Sequence, residues 1–180
     1  MIVERLIETP QLKLASLSSR HAAGRYLKWM NDPEAVRFLE SRDRRFDRVD
    51  LEAYIDDCNK NPSVILLGMF DRHDESHVGN IKLGPVDSRH RRGDIGLIVG
   101  DKTKWGRGFA REAIAAVAEY AFSDLDLAKL TAGCYASNVG SIRAFLAAGW
   151  HEEARRKRHV LFNGNWEDVV LLARFGDQVR

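Results

Sequence analysis

The chain has 180 residues, a net charge of +2, and 44% hydrophobic against 30% charged residues, which fits one globular domain over 1–180 and excludes a disordered chain. Its two cysteines, Cys58 and Cys134, are far apart and imply neither a disulfide framework nor a metal cluster, so no metal is expected. Met1 to Thr9 lacks the apolar core of a signal peptide and no apolar run is long enough to span a bilayer, so the expectation is a cytoplasmic protein with no membrane partner.

Leu12 to Leu17 alternates as a first strand. Ser18 or Ser19 caps a helix through about Met30, which Asn31-Asp32-Pro33 breaks. Asp50 caps a further helix to about Lys60. Ser63 to Phe70 reads as a buried strand, Asp71 to Ser76 as a turn, and His77–Leu83 and Asp94–Val99 as the next two strands. The period then changes: Ala110, Ile114, Val117, Ala118 and Ala121 fall on one face of a helix from Gly108 to Phe122. Lys129 to Tyr135 is a strand and Val139 to Ala148 a helix stopped by Gly149. Trp150 to Leu161 and Trp166 to Phe175 form a hairpin about Asn163-Gly164. This order predicts an α/β fold with a mixed sheet of about seven strands, helices on both faces and a crossover helix in the middle.

The most informative stretch runs from Ile95 to Ala113. A buried strand enters a loop carrying Gly106 and Gly108, and the loop opens a helix. Glycines admit close backbone approach, and a helix start offers unpaired N–H groups with partial positive charge. Together they make an anion site suited to a pyrophosphate, with Lys102, Lys104, Arg107 and Arg111 around it. The stretch is neither a Walker loop nor a full dinucleotide fingerprint, and a plain strand-to-helix turn is the alternative. Some 30 residues later, Asn138-Val139-Gly140-Ser141 opens the next helix, which ends Ala-Ala-Gly-Trp. Asn138 or Ser141 there is either a ligand group or a cap.

With both constellations in hand, the chain resembles the GNAT superfamily of acetyltransferases, and within it the ribosomal-protein (Rim-type) subgroup. Trp105-Gly106-Arg107-Gly108-Phe109-Ala110-Arg111-Glu112-Ala113 is similar to that subgroup's acetyl-CoA loop, and Asn138 to Ser141 to its second motif. Gly149-Trp150 and Glu153 resemble its Gly-Phe and Glu-Gly signatures. Asn163-Gly164 and Asp168 fit its closing hairpin, and Trp29 to Glu34 matches a common start. Two positions depart: Phe145 stands where many members carry a tyrosine that protonates the leaving thiolate, and Ala154 replaces the glycine after Glu153.

The resemblance implies an acetyl-CoA-dependent N-acetyltransferase whose sheet splays between strands Asp94–Val99 and Lys129–Tyr135. Acetyl-CoA would lie in that opening. Its pantetheine arm would pair with Leu97, Ile98 and Val99, and its phosphates would meet Lys104 to Arg111 (Trp105, Gly106, Arg107, Gly108, Phe109 and Ala110 between them), with Asn138 and Ser141 nearby. Asp94 fits an acidic position of the subgroup and would take the amine proton; otherwise it is a surface partner of Arg91 or Arg92. Ser141 or Tyr135 would protonate the thiolate in place of the missing tyrosine. Glu112 is expected to be a structural partner of the loop. His77, His90, His151 and His159 show no triad or metal spacing, and Cys134 reads as packing.

The acceptor is a primary amine, read as a small molecule such as an amino sugar, with a protein N-terminal α-amine as the alternative. Arg42, Arg44 and Arg45 suit an anionic acceptor, and Glu40 suits the amine. A coenzyme A-binding module without catalysis is the rival of a different class. Nucleic acid is not expected as a partner: the basic clusters at 42–48, 89–92 and 155–158 sit in a near-neutral chain without interleaved aromatics. A homodimer is compatible with the sequence.

Overall fold

The computed structural model describes residues 6–177. Eight strands form one sheet in the order β1-β2-β3-β4-β5-β6-β8-β7: β1 Leu6–Glu8, β2 Leu12–Ser16, β3 Ile65–Asp71, β4 His77–Leu83, β5 Arg92–Val99, β6 Lys129–Tyr135, β7 His151–Phe162 and β8 Asn165–Phe175. All neighbours are antiparallel except β5 and β6. That single parallel pair needs a crossover, which the helix α4, Phe109–Ser123, supplies. The mixed α/β sheet expected from sequence is present, with one short strand more than the seven: β1 is a three-residue edge strand without a periodic signature.

The helices cover both faces. On one, Ile114, Val117 and Ala118 of α4 and Phe145 of α5 (Val139–Ala147) close a core over Leu14, Leu67, Ile81, Ile95, Leu130 and Leu172. On the other, Tyr26, Trp29 and Met30 of α1 (Arg25–Met30) and Leu51 and Ile55 of α3 (Arg48–Lys60) close a second core over Leu17 and Leu66. A short helix α2, Pro33–Val36, joins these two, capped by the Asp32 side chain.

Two helix boundaries differ from the sequence reading. The helix expected from Ser18 to Met30 is broken at Gly24, whose φ of 66° leaves a 3₁₀ turn at Ser19–Ala22 and then α1. The helix expected from Asp50 begins at Arg48, because Asp47 accepts from Asp50 N while the Asp50 carboxylate accepts from Asp47 N. Asp50 is the third residue of a capping box, not the cap.

Candidate functional site

The sheet opens between β5 and β6. Their pairing runs only from Arg92↔Lys129 to Asp94↔Thr131, while β4 continues to pair with β5 as far as Val99. Gly84 N donates to Asp94 O at 2.8 Å, so the backbone groups of Asp94, Gly96 and Ile98 face β4. Those of Ile95, Leu97 and Val99 therefore point the other way, and beyond Asp94 the Leu97 and Val99 groups point into the opening. The Trp105 indole confirms that direction, donating to Val99 O at 2.7 Å. Leu97 N–H and C=O and Val99 N–H are left facing the gap. Ile98, grouped with them in the sequence reading, presents its backbone to β4 and its side chain to the second core.

At the end of β5 the loop is held from both sides. Gly100 is pressed against the Trp29 ring: a Cβ there would lie 2.1 Å from it. Asp101 accepts from Thr103 N and binds Arg25 at 2.9 Å. Gly106 and Gly108 have φ of 74° and 87°, and the space a Cβ would occupy at either is open. These two glycines turn the chain into α4, whose first residue, Phe109, is buried. Among the described residues, no backbone N–H from Gly106 to Arg111 donates a hydrogen bond. A row of free donors at a helix start, bare of side chains, is what a pyrophosphate needs.

The cations around this loop divide. Lys104 is nearly buried in ion pairs with Asp71 at 2.6 Å and Asp74 at 3.2 Å. Lys102 pairs with Asp32 at 2.8 Å and Glu34 at 2.9 Å. Arg107 and Arg111 are exposed and have no ion-pair partner among the described residues. Ala110 lies in the first turn of α4, between them. Glu112 does not serve the loop: it accepts from Gln11 N and Gln11 Nε2, both at 2.7 Å, and so ties α4 to the β1–β2 turn.

α5 begins beside this opening and packs along α4. Asn138 caps it, its Oδ1 accepting from Ser141 N at 3.3 Å. The half-buried Ser141 Oγ lies 3.4 Å from Cys134 Sγ on β6. Burial raises the Cys134 thiol pKa. Phe145 is 1% exposed and packed edge-on against Trp150, so this position serves the core.

Tyr135, at the last position of β6, joins the opening to the other face. Its hydroxyl donates to Glu40 Oε1 at 2.6 Å and accepts from Arg42 Nη1 at 2.9 Å. Burial, then the Glu40 hydrogen bond, push its pKa up. Phe38 and Phe162 pack on its ring, and Arg42 also donates to Leu161 O at 3.3 Å. The loop after α2 is thus latched to the β7–β8 hairpin. Asp94 is exposed and accepts from the Thr131 hydroxyl across the last paired register. It pairs with neither Arg91 nor Arg92, which bind Asp126 and Asp87.

Beside these groups lies a cavity of about 400 Å³ between the sheet and α1, α3 and the 39–46 loop. Gly96, Ile98, Asn80, Lys82 and Leu66 line its floor; Tyr26, Leu51, Tyr54 and Glu40 are among its walls. Gly96 is the opening in that floor, since a Cβ there would meet nothing within 4 Å. Of the sequence candidates, Glu40, Arg44, Leu97 and Ile98 line the cavity, and Arg42, Arg45 and Asp94 do not. Asn80, Lys82 and Gly96 were missed as site residues: they come from separate strands, and no spacing joins them.

Three comparisons bear on this geometry. Residues 11–151 match a family model described as an acetyltransferase (GNAT) domain. A probable N-acetyltransferase of Bacillus subtilis, YjcK, is 35% identical over 107 residues, and the chain spans 59% of its length. An uncharacterized N-acetyltransferase of the same organism, YoaA, is 26% identical over 91% of this chain and 93% of its own. Among solved structures, the spermidine N-acetyltransferase of Vibrio cholerae, in complex with CoA and spermine, has a TM-score of 0.79 at 19% identity, covering 93% of this chain and 96% of that one. RimL, a ribosomal L7/L12 alpha-N-protein acetyltransferase, has a TM-score of 0.85 at 14% identity, covering 96% and 99%. Both are likenesses of fold.

Proposed function

Because the chain belongs to the GNAT acetyltransferase family, we propose that it transfers the acetyl group of acetyl-CoA to the primary amine of a small molecule. One observation carries this reading: β5 serves two sites at once. Its backbone at Leu97 and Val99 faces the gap in the sheet, and its other face, bare at Gly96, opens on the cavity. A thioester held along the first edge and an amine held in the second space would meet across a single strand. Positioning of that kind makes a two-substrate step effectively unimolecular.

The cradle fits the co-substrate. Free N–H donors from Gly106 to Arg111, the unpaired Arg107 and Arg111, and the open space at both glycines suit a pyrophosphate; the unpaired Leu97 groups suit an amide-bearing arm. Bound there, acetyl-CoA supplies an acyl carbon activated as a thioester. We assign the proton acceptor to Glu40, the carboxylate that lines the cavity, in preference to Asp94, which does not. Glu40 takes the proton released as the amine nitrogen bonds to the acyl carbon. Ser141 passes a proton to the sulfur as the carbon–sulfur bond breaks, since the Tyr135 proton is held by Glu40, and the proton that Glu40 took is released to water, from which the Ser141 hydroxyl is restored. The N–H of Val99 or Leu97 stabilises charge on the carbonyl oxygen.

A cavity of about 400 Å³, half open to solvent and walled by α1, α3 and the 39–46 loop, favours a small amine over the N-terminus of a folded protein. The test is thiol release from acetyl-CoA with a panel of small amines beside N-terminal peptides, together with the melting temperature in acetyl-CoA. A raised melting temperature and thiol release with small amines are expected. A thermal shift with no release for any amine would leave a binding module; faster release with peptides would move the acceptor to proteins.

A further inference from the structure

The cavity holds two polar groups that the rest of the chain leaves free or only weakly engaged. Asn80 is 4% exposed, and His77 Nε2 lies 2.7 Å from its Oδ1. His77 sits among the rings of Phe70, Trp29, Tyr26 and His21. Burial there lowers its pKa to about 4, so the neutral ring donates through Nε2 and fixes the amide. The other end, Nδ2, is buried beside the Tyr26 hydroxyl, its one polar neighbour, and makes no hydrogen bond of good geometry there. A buried donor so weakly engaged, on a cavity wall, is free to serve a ligand oxygen as well.

The second group is Lys82, two residues further along the same face of β4 and directly opposite Gly96. It lines the cavity and has neither a hydrogen bond nor an ion pair among the described residues. Arg44, the other cation of the lining, is tied to Asp50 at 2.6 Å. Glu40 is the one acidic side chain of the lining, and it sits on the loop wall beside Tyr135. The floor therefore offers a free cation and a weakly engaged N–H donor, and the wall offers a carboxylate.

We infer that the acceptor is an amine that also carries a carboxylate: an amino-acid-like zwitterion with an apolar body, its carboxylate on Lys82 and Asn80 and its amine toward Glu40. This rests on the reading above that the cavity holds the acceptor. The rest of the lining, Met30, Leu39, Phe46, Leu51, Leu66 and Ile98, takes the apolar body. A polyamine, cationic at every nitrogen, meets the uncompensated charge of Lys82 and is selected against.

The experiment titrates the protein, saturated with coenzyme A, with three probes: L-leucine, isoamylamine (the same body without the carboxylate) and spermidine. Calorimetry reads affinity directly, and thiol release from acetyl-CoA is followed in parallel with the same amines. L-leucine is expected to bind about tenfold or more tighter than isoamylamine, as a charge-assisted contact predicts. Lys82→Gln removes that preference and Lys82→Glu reverses it, with the coenzyme A-induced rise in melting temperature unchanged as the control for folding. Equal binding of the two probes, tighter binding of spermidine, or a preference that survives Lys82→Glu overturns the inference. Leucine binding that obeys Lys82 without any thiol release sustains the pocket's preference and sinks the transferase reading instead.

Discussion

The two sides of β5 are built from different materials. On the sheet-gap side the groups offered to a ligand are backbone: Leu97, Val99 and the N–H row from Gly106 to Arg111, nearly all within one continuous stretch. On the cavity side they are side chains: Asn80, Lys82, Tyr26, Tyr54 and Glu40, from β4, α1, α3 and a loop. Backbone is the same in every sequence, so the first side suits a ligand common to a family. Side chains differ freely, so on the reading proposed above the second side sets selectivity between amines.

The largest effect expected from breaking this contrast is on the backbone side. Gly108→Asp puts bulk and negative charge where α4 begins, and its φ of 87° adds strain of about 1 kcal/mol, too little to unfold a domain. Acetyl-CoA present at 100 times its Kd stabilises a folded protein by about 2.7 kcal/mol, and the variant should lose all of it. A melting-temperature shift that survives in folded Gly108→Asp would remove the cradle. The counterpart on the other side is Gly96→Leu. Gly96 has no unusual φ and no atom near its missing Cβ, so the variant should fold and fill the cavity floor. Transfer should fall about 10³-fold through lost positioning, with the acetyl-CoA shift intact. Transfer at the wild-type rate would place the amine elsewhere.

The same contrast explains what was legible in the sequence. The cradle is local, so Gly106, Gly108 and the helix opening at Phe109 could be read from consecutive residues. The splay, implied by the resemblance, appears as pairing that stops at Asp94↔Thr131. Side-chain alliances were not legible. Lys104 looks like a phosphate ligand beside its glycines, but Asp71 and Asp74, some 30 residues away, hold its ammonium. The basic clusters were similarly opaque: Arg44, Arg48, Arg91, Arg92, Arg155 and Lys157 all meet carboxylates in the fold. Asp94 read as a base from its place on β5, whereas the strand pairing turns it to Thr131, off the cavity.

A smaller effect separates the two carboxylates. Glu40→Gln keeps an acceptor for the Tyr135 hydroxyl and removes the charge. It should lower kcat/KM about 10²-fold at neutral pH, with partial recovery as rising pH deprotonates the amine in solution. Asp94→Asn should stay within about twofold of wild type. Matched pH–rate profiles decide: the reverse ranking returns the base to Asp94 at the vertex of the splay.

The least of these effects concerns pH, and it again falls on one side only. His77 holds the Asn80 amide of the cavity from behind, and burial, with the nearby His21 and Arg25 charges, holds its pKa at about 4 against an ordinary 6.5. The unfolded chain takes up a proton below pH 6.5, and the folded one does so only near pH 4. Between those values the unfolded state binds more protons, so stability is complete above pH 6.5 and falls as pH drops toward 4. The slope is about 1.4 kcal/mol per pH unit, roughly 3 kcal/mol over the window. His77→Gln keeps a donor for Asn80 and has nothing to titrate, so denaturant midpoints measured from pH 7 to 4.5 should fall less steeply in the variant. Function should follow the same asymmetry. Protonating His77 strains the ring box that fixes Asn80, and the folded ring is protonated only near pH 4, so the KM for the amine should change from pH 7 to 5.5 no more than amine protonation accounts for and rise beyond it only as pH nears 4. The KM for acetyl-CoA, bound by backbone and arginine, should hold. Parallel drift of both constants, retained in His77→Gln, would disconnect His77 from the acceptor site.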